Sequence, residues 1–323
     1  MSEETSIHIE ETAERDIVEQ IDTQTEVLDA HDDIFELPHG NALELDETYE
    51  ITAANKTNFI VLIGPAGCGK TTLVTTVYQM FQKNPMEDYY FAGSRTLLGF
   101  EQRAFLTRTT SGHAFPDTPK TRRGISDSIL HLKLYSVIRD SFKELLITDF
   151  SGEDYKAIIA NVNLAKEEFG VIKRADNLVL LIDGELVSNK KRRNGAVQET
   201  LELLKTIIDA GLFSNRTCLD IVISKYDIVK ERSIEDSAIK DFLSNVQQKF
   251  INKFGNEVMK LNFYYVSAMP KDKNQLNIGY GLDKLINSWV ERKMGSVGVI
   301  QSNLLKQDFK SEFNLFKIRT YGV

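Results

Sequence analysis

The residues with the most readily interpreted chemistry follow a short apolar run and read Gly64-Pro-Ala-Gly-Cys-Gly-Lys-Thr71. This G-x-x-x-x-G-K-T spacing is typical of a loop whose backbone N–H groups surround a polyphosphate, with a helix that directs its positive end at the same anion. Lys70 can neutralise the β- and γ-phosphates, and the Thr71 hydroxyl can bind Mg²⁺. The predicted phosphate site consists of Gly64, Gly67, Cys68, Gly69, Lys70, Thr71 and Thr72.

A second motif adds metal and γ-phosphate contacts to this site. The apolar run 145–148 is followed by Asp149-Phe-Ser-Gly152, a D-x-x-G sequence at the end of a predicted strand. An aspartate in that place can support Mg²⁺ through water, and the Gly152 N–H can contact a γ-phosphate. Because Asp–Gly turns after strands are common, this motif indicates a nucleotide site only when it occurs together with the phosphate loop.

Two further motifs favour guanine over adenine. Ser224-Lys225-Tyr-Asp227 follows an apolar run and is close to the sequence N/T-K-x-D. The Asp227 carboxylate can accept both N1–H and N2–H of guanine, which adenine cannot offer, while Lys225 lies along the base plane. Ser267-Ala268 also follows a predicted strand, where a backbone amide can meet guanine O6. The base site is therefore expected at Ser224, Lys225, Asp227, Ser267 and Ala268.

Apolar segments alternate with helical patterns along most of the chain, which predicts an α/β fold with a largely parallel sheet and helices on both faces. Each motif falls at the carboxyl end of a predicted strand, where open α/β sheets bind ligands. A further strand is expected over 43–51. The other predicted strands are 59–63, 129–135, 145–148, 178–182, 219–223 and 261–266.

Charge is distributed unevenly over the 323 residues. Residues 1–50 contain 17 acidic side chains and one base, Arg15, whereas the rest of the chain carries 30 acidic and 38 basic side chains. The composition predicts an acidic, disordered tail over 1–42, with the alternative that it covers a basic surface. No apolar run approaches the roughly 18 residues of a membrane span, and the polar start does not resemble a signal peptide. Cys68 and Cys218 show neither metal-ligand spacing nor a disulfide pattern, so we expect a protein of the reducing cytoplasm.

Taken together, the four motifs resemble those of the TRAFAC-class P-loop GTPases, the Ras-like group. The resemblance covers about residues 56–294 and implies a P-loop NTPase three-layer sandwich. Its sheet would have six strands in all, mostly parallel, with one of them, 129–135, antiparallel and paired with 144–149. The G domain would span 43–294, with a long switch-like insertion at about 85–125 and a C-terminal extension over 295–323.

The insertion is similar to that of the double-GTPase family of bacterial defence and conflict gene clusters. The similarity rests on Phe91-Ala-Gly-Ser, Phe100-Glu and Thr118-Pro-Lys-Thr121. It implies a switch threonine that binds Mg²⁺, for which Thr121 is favoured over Thr118. It also implies a bacterial regulator that acts with a protein effector.

Catalytic residues are expected around the γ-phosphate. Lys70 and Thr121 would stabilise the reacting groups, and Glu153 stands where fast GTPases often carry glutamine. A glutamate there can orient water, but its charge would slow hydrolysis. The candidates for an arginine that stabilises the transition state are Arg95, Arg103, Arg122 and Arg123.

The motifs support a GTP-binding switch with GTP or GDP, Mg²⁺ and slow hydrolysis. One alternative is an ATP-dependent P-loop signalling ATPase, although Phe150 stands where such enzymes usually carry a second acid after Asp149. Another alternative is a nucleotide-bound scaffold with little turnover.

The basic run Lys190-Lys-Arg-Arg193 is expected to be a solvated loop, with an anionic partner or nucleic acid as its functional alternative.

Overall fold

The computed structural model describes residues 39–105, 129–149, 158–159, 161–214, 216–272 and 276–290. Seven strands in these ranges form one sheet. They are β1 (Thr57–Ile63), β2 (Tyr89–Gly93), β3 (Ile129–Ser136), β4 (Ser141–Asp149), β5 (Asn177–Asp183), β6 (Cys218–Ser224) and β7 (Lys260–Tyr265).

Nine α-helices lie in the same ranges, with short 3₁₀ helices at Asp46–Thr48 and Gly170–Arg174. They are α1 (Tyr49–Ala54), α2 (Lys70–Lys83), α3 (Leu97–Ala104), α4 (Val162–Glu168), α5 (Gly184–Val187), α6 (Arg193–Asp209), α7 (Tyr226–Glu235), α8 (Ala238–Phe254) and α9 (Leu282–Val290).

The sheet has the strand order β2-β3-β4-β1-β5-β6-β7, with parallel pairing from β4 through β7. The prediction that 129–135 pairs antiparallel with 144–149 is confirmed, because β3 pairs with β4 over Ile129↔Thr148 to Ser136↔Ser141. β3 runs against every other strand, since it is also antiparallel to β2. The fold is thus an α/β sandwich whose parallel strands end at one edge.

The predicted number of six strands is wrong, because β2 is a seventh strand within the segment interpreted as a switch-like insertion. Of its five residues only Tyr89 is buried, and Tyr90 and Phe91 are exposed. An edge strand of this kind has no continuous apolar run, which is the signal that identified the other strands.

The predicted strand over 43–51 is also wrong. Leu43 alone pairs with β3, through two hydrogen bonds between its backbone and that of Ile129 (2.8 and 3.1 Å). The chain then turns into the 3₁₀ helix at Asp46–Thr48 and α1. Thr48 assists this turn by donating its hydroxyl to the Leu45 carbonyl oxygen at 2.6 Å. Hydroxyls bonded locally in this way compete with extended structure.

Apolar side chains on both faces of the sheet form the core. On one face, α4, α6 and α8 cover alternate residues of the central strands, such as Val61 and Ile63 of β1. On the other face, α2, α3 and α9 cover the intervening residues, such as Ile60 and Leu62. This double burial explains why β1 is a continuous apolar run. It also fixes the carboxyl ends of β1, β4, β5 and β6 beside one another.

A buried charged group joins β3 and β4. The Glu144 carboxylate lies 2.6 Å from His131 Nε2 and 3.2 Å from Lys133 Nζ, and both Glu144 and His131 are almost fully buried. His131 Nδ1 accepts the Arg95 backbone N–H at 3.0 Å, so the imidazole also connects β3 to the segment before α3. Burial alone would raise the pKa of Glu144, but His131 and Lys133 outweigh it and hold the pKa below its ordinary value of 4.5.

Replacement of Glu144 by glutamine should lower the free energy of unfolding at pH 7 by about 1.5–3 kcal/mol, because charge-assisted hydrogen bonds are lost. A carboxylate whose pKa is lowered in the folded state stabilises above its ordinary pKa, and this stabilisation is lost as pH falls through the folded-state value. Urea unfolding between pH 7 and pH 3 should therefore show a shallower fall for Glu144→Gln than for the wild type.

Glu50→Gln is a matched control, since Glu50 forms an exposed ion pair with Arg95 at 2.7 Å. Exposed ion pairs contribute little to stability, so the free energy of unfolding of this variant should depend on pH as that of the wild type does. If the free energy of unfolding falls equally steeply with pH in Glu144→Gln and in the wild type, the assigned role of Glu144 is contradicted.

Candidate functional site

The glycine-rich loop lies between β1 and α2 and takes its shape from three glycines. Gly67 (φ 75°) and Gly69 (φ 93°) have left-handed backbone conformations that L-residues rarely adopt. Gly64 is needed for a different reason: a Cβ there would lie 2.8 Å from Cys68 Sγ and 2.9 Å from the Leu181 carbonyl oxygen. The loop is therefore packed closely against the end of β5.

Lys70 is the first residue of α2 and is only 6% exposed. Its ammonium donates to the carbonyl oxygens of Gly64 (2.9 Å) and Pro65 (3.2 Å), across the loop. Thr71 follows it in the first helical turn, so a cation, a hydroxyl and the N-terminal backbone N–H groups of α2 lie together. This is the arrangement in which a helix N-terminus binds an anion.

The carboxyl end of β4 lies beside this loop. Asp149 is the last residue of β4 and pairs in register with Leu62 of β1, two residues before Gly64. The remaining residues predicted near the γ-phosphate, Thr118, Thr121, Gly152 and Glu153, lie outside the described residues, as do Arg122 and Arg123.

Oxygen donors such as the Thr71 hydroxyl suit Mg²⁺, which usually takes one or two protein ligands together with substrate phosphates. Within the described ranges, no cluster of three or more His, Cys, Asp or Glu side chains could hold a metal ion. The Thr71 hydroxyl thus fits a Mg²⁺ ion that is shared with a bound phosphate.

The second half of the site lies where β6 meets α7. Lys225 takes a left-handed conformation (φ 49°, ψ 43°) and precedes the first turn of α7, which contains Asp227. The Asp227 carboxylate is buried; Oδ1 accepts the Ser267 hydroxyl at 2.6 Å, and Oδ2 accepts the Lys271 backbone N–H at 3.1 Å. Each carboxylate oxygen has two lone pairs, so Asp227 is held in place and keeps acceptor sites for a ligand.

A loop that the sequence analysis missed supports this half of the site. The Gly279 N–H donates to the Ala268 carbonyl oxygen at 2.9 Å, and the Ser267 N–H donates to the Tyr280 carbonyl oxygen at 3.0 Å. Gly279 (φ 78°) also lies so close to Met80 of α2 that a Cβ would overlap the Met80 sulfur. Gly279 thus connects Ser267 and Ala268, which we call the base loop, with the Met80 side chain of α2. The available signal was Gly279-Tyr-Gly281, whose glycines both have positive φ.

Two acidic side chains contact Lys225, which is expected to lie along the base plane. Its ammonium pairs with Asp183 Oδ2 at 2.8 Å and with Glu185 Oε2 at 3.4 Å; Asp183 ends β5 and Glu185 lies in α5, which follows directly. Partial burial lowers the pKa of Lys225, but Asp183 and Glu185 outweigh this effect and the pKa is raised. Neither acid belongs to the motifs described above; their signal in the sequence is Asp183-Gly-Glu185 at the end of a buried strand.

Gly184 allows the end of β5 to pack closely against the backbone of Ser224 and Lys225. Asp183 pairs in register with Ser224, and a Cβ on Gly184 would overlap the Ser224 carbonyl oxygen and lie 2.8 Å from a Val229 methyl group. Ser224 itself donates its hydroxyl to the Ile182 carbonyl oxygen at 3.2 Å. The ends of β5 and β6 are therefore joined by direct backbone contact.

The remaining basic candidates make contacts elsewhere. Arg95 pairs with Glu50, and Arg103 donates to the Gly99 carbonyl oxygen at 3.0 Å within α3. In the basic run, Lys190, Lys191 and Arg192 are exposed, whereas the Arg193 guanidinium lies 4.7 Å from the centre of the Phe242 ring.

A glycine-rich phosphate loop and an anchored aspartate at one edge of a mostly parallel sheet define a P-loop nucleotide-binding fold. The family model of Double-GTPase 2 matches residues 58–290, and the chain belongs to this family. The resemblance to double GTPases inferred from the motifs is thereby confirmed.

Among solved structures, one match is the "Signal recognition particle receptor SRb-GTP/SRX complex from Chaetomium thermophilum". It is 14% identical, covers 68% of this chain and 94% of that chain, and has a TM-score of 0.35. No curated protein matches the sequence. None of the helices in the described ranges is both long and apolar enough to cross a membrane.

Replacement of Gly184 by alanine should destabilise the protein by about 1–3 kcal/mol and weaken nucleotide binding, because the new methyl group must displace the Ser224–Lys225 backbone. Gly195→Ala is the matched control. It lies within α6, where a Cβ would meet no atom within 4 Å, so alanine should stabilise by about 0.5–1 kcal/mol. Urea unfolding and nucleotide titration of both variants test this expectation. Equal stability and equal nucleotide affinity of the two variants would contradict the close contact between Gly184 and the Ser224 carbonyl oxygen.

Proposed function

We propose that this protein is a guanine-nucleotide switch that binds GTP or GDP and hydrolyses GTP slowly with Mg²⁺. In this proposal the G domain spans 43–294 and acts on a protein effector in a bacterial multi-component system. Membership of the Double-GTPase 2 family supports the nucleotide class. The base-reading geometry around Asp227 supports the choice of guanine.

The observation that carries the proposal is the fixed, buried carboxylate of Asp227. Ser267 and Lys271 hold its two oxygens, and its remaining lone pairs match the adjacent N1–H and N2–H donors of guanine. Adenine offers no such pair of donors, and a buried carboxylate left without them would pay a desolvation penalty. The site is thus suited to select guanine by a bidentate hydrogen bond.

The phosphate half supplies charge compensation. Lys70 would exchange its contacts with the Gly64 and Pro65 carbonyl oxygens for the β- and γ-phosphates. Bound Mg²⁺ would neutralise phosphate charge, with Thr71 and Thr121 as ligands and Asp149 supporting its water shell. Gly152 would contact the γ-phosphate, and Glu153 would orient the attacking water.

A switch function requires that the γ-phosphate change the protein's conformation. The proposal assigns this change to the segments around Thr121 and Glu153, which follow α3 and β4 in the chain. An ATP-dependent signalling ATPase and a scaffold with little turnover remain the alternatives to be tested. The anchored Asp227 argues against the first, and Glu153 in place of glutamine keeps the second open.

A competition titration distinguishes guanine from adenine nucleotides. Purified protein with Mg²⁺ and a fluorescent guanine nucleotide is titrated with GTP, GDP, ATP and ADP. We expect displacement by GTP and GDP at concentrations at least about a hundredfold below those of ATP and ADP, since loss of a buried bidentate contact is costly. Equal displacement by ATP would overturn the guanine assignment and favour the ATPase.

The role of Asp227 is tested with Asp227→Asn. An asparagine can accept only one of the two guanine donors, so GTP affinity should fall by about a hundredfold or more. Its Nδ2–H can instead donate to the C2 carbonyl of xanthine, so binding of xanthosine triphosphate should improve. Asp241→Asn, at an exposed position of α8, should bind both nucleotides as the wild type does. Unchanged GTP affinity in Asp227→Asn would overturn the proposed base contact.

Single-turnover hydrolysis separates a switch from a scaffold. Wild-type protein loaded with GTP should release phosphate when Mg²⁺ is present, and Lys70→Ala should show neither tight binding nor release. No phosphate release by the wild type over several hours, with GTP binding intact, would support the scaffold instead.

A further inference from the structure

The Asp-Gly-Glu turn after β5 has no part in the motifs that identify the nucleotide site, yet it lies against the base-reading segment. Asp183 is the last residue of β5 and lies opposite Ser224 in the parallel register. Its Oδ2 is 2.8 Å from Lys225 Nζ. Lys225 alone connects β6 to α7, so a charged group that contacts its side chain can influence the start of α7.

Asp183 is more rigidly placed than its neighbour Glu185. The Asp183 side chain is 9% exposed, and its Oδ1 accepts the Glu185 backbone N–H at 2.9 Å, which fixes the carboxylate. The Glu185 carboxylate is 45% exposed and lies farther from Lys225, at 3.4 Å. Because solvent weakens exposed ion pairs, Asp183 is the principal partner of Lys225.

The backbone of Lys225 explains why such a partner is needed. Its left-handed conformation is unfavourable for a non-glycine residue and persists only where the surroundings fix it. The Tyr226 N–H donates to the Val266 carbonyl oxygen at 3.1 Å on the other side of this turn. Asp227 follows two residues after Lys225, so a shift of the Lys225 backbone would move the carboxylate that reads guanine.

We propose that Asp183 is a positioning residue for base recognition: its ion pair with Lys225 holds that lysine and the following turn in the conformation in which Asp227 meets guanine. The inference rests on the proposed guanine-nucleotide function. Asp183 does not touch the nucleotide in this scheme and acts through Lys225. Since GDP and GTP share the base, loss of Asp183 weakens both equally.

The hydrogen bond between Ser267 and Asp227 gives the effect a second consequence. Ser267 lies in the base loop and donates its hydroxyl to Asp227 Oδ1 at 2.6 Å. A displaced Asp227 therefore loses its partner in the base loop as well as its guanine donors. The expected loss is one of base affinity, with the phosphate loop itself unchanged.

The test is a double-mutant cycle on the full chain. Asp183→Asn keeps an oxygen that can accept the Glu185 N–H but removes the charge, and Lys225→Met removes the ammonium while keeping the side-chain length. Asp183→Asn should weaken both GDP and GTP binding by roughly tenfold, with their ratio unchanged. In the Lys225→Met background the same change should alter affinity by less than about twofold, because the interacting partner is already gone.

Control variants separate positioning from a general effect on folding. Glu185→Gln, at the longer and more exposed contact, should cost less than about threefold in affinity. Asp183→Ser, which retains a helix-capping oxygen without charge, should reproduce the loss seen in Asp183→Asn. Thermal unfolding of each protein without nucleotide identifies the folded variants, and either Asp183 variant is sufficient for the cycle.

Unchanged GDP and GTP affinity in a folded Asp183 variant would overturn the inference. So would an equal loss in the wild-type and Lys225→Met backgrounds, because Asp183 would then act through the turn and not through Lys225. These results leave the proposed function intact if the wild type binds GTP and Asp227→Asn does not. A wild type that fails to bind guanine nucleotides would overturn the function itself.

Discussion

Parallel pairing of β1 with β4 on one side and β5 on the other is the constraint on which the site depends. It brings Gly64, Asp149 and Asp183 to one edge of the sheet, although they are far apart in the chain. The close packing of Gly64 on the Leu181 carbonyl oxygen leaves no room for a side chain at the start of the phosphate loop. Burial of the central strands on both faces keeps this edge in place, so ligand groups can be positioned by backbone register.

Some elements could be predicted from the sequence because the residues that define them are close together in the chain. The phosphate loop is recognisable because its glycines, lysine and threonine are contiguous between a strand and a helix. The central strands are recognisable because burial on both faces requires continuous apolar runs. The antiparallel β3 followed from resemblance to a known fold and not from its own residues. The structure places Asp227 beside Ser267, whereas the residues around Thr121 and Glu153 lie outside the described ranges.

Other features could not be predicted, because their cause lies in contacts between distant residues. β2 is half-exposed, so hydrophobic periodicity does not mark it. The segment after Leu43 turns away from the sheet through local hydrogen bonds that compete with an extended strand. The pairing of Lys225 with Asp183 joins residues 42 positions apart, and the approach of Gly279 to Met80 joins the last loop before α9 to the first helix after the phosphate loop. A single sequence contains the residues but not these distances.

The same distant contacts bear on how the two halves of a nucleotide would be bound. Had the base loop been independent of α2, base and phosphate affinities would combine as for separate sites. Instead, Gly279 packs on the Met80 side chain of α2, and its N–H donates to the Ala268 carbonyl oxygen. Residues in contact can contribute non-additively to affinity. In the proposed function, selection of guanine would therefore depend on the whole sheet edge: the buried Asp227 would supply the hydrogen bonds, and its neighbours hold it in position.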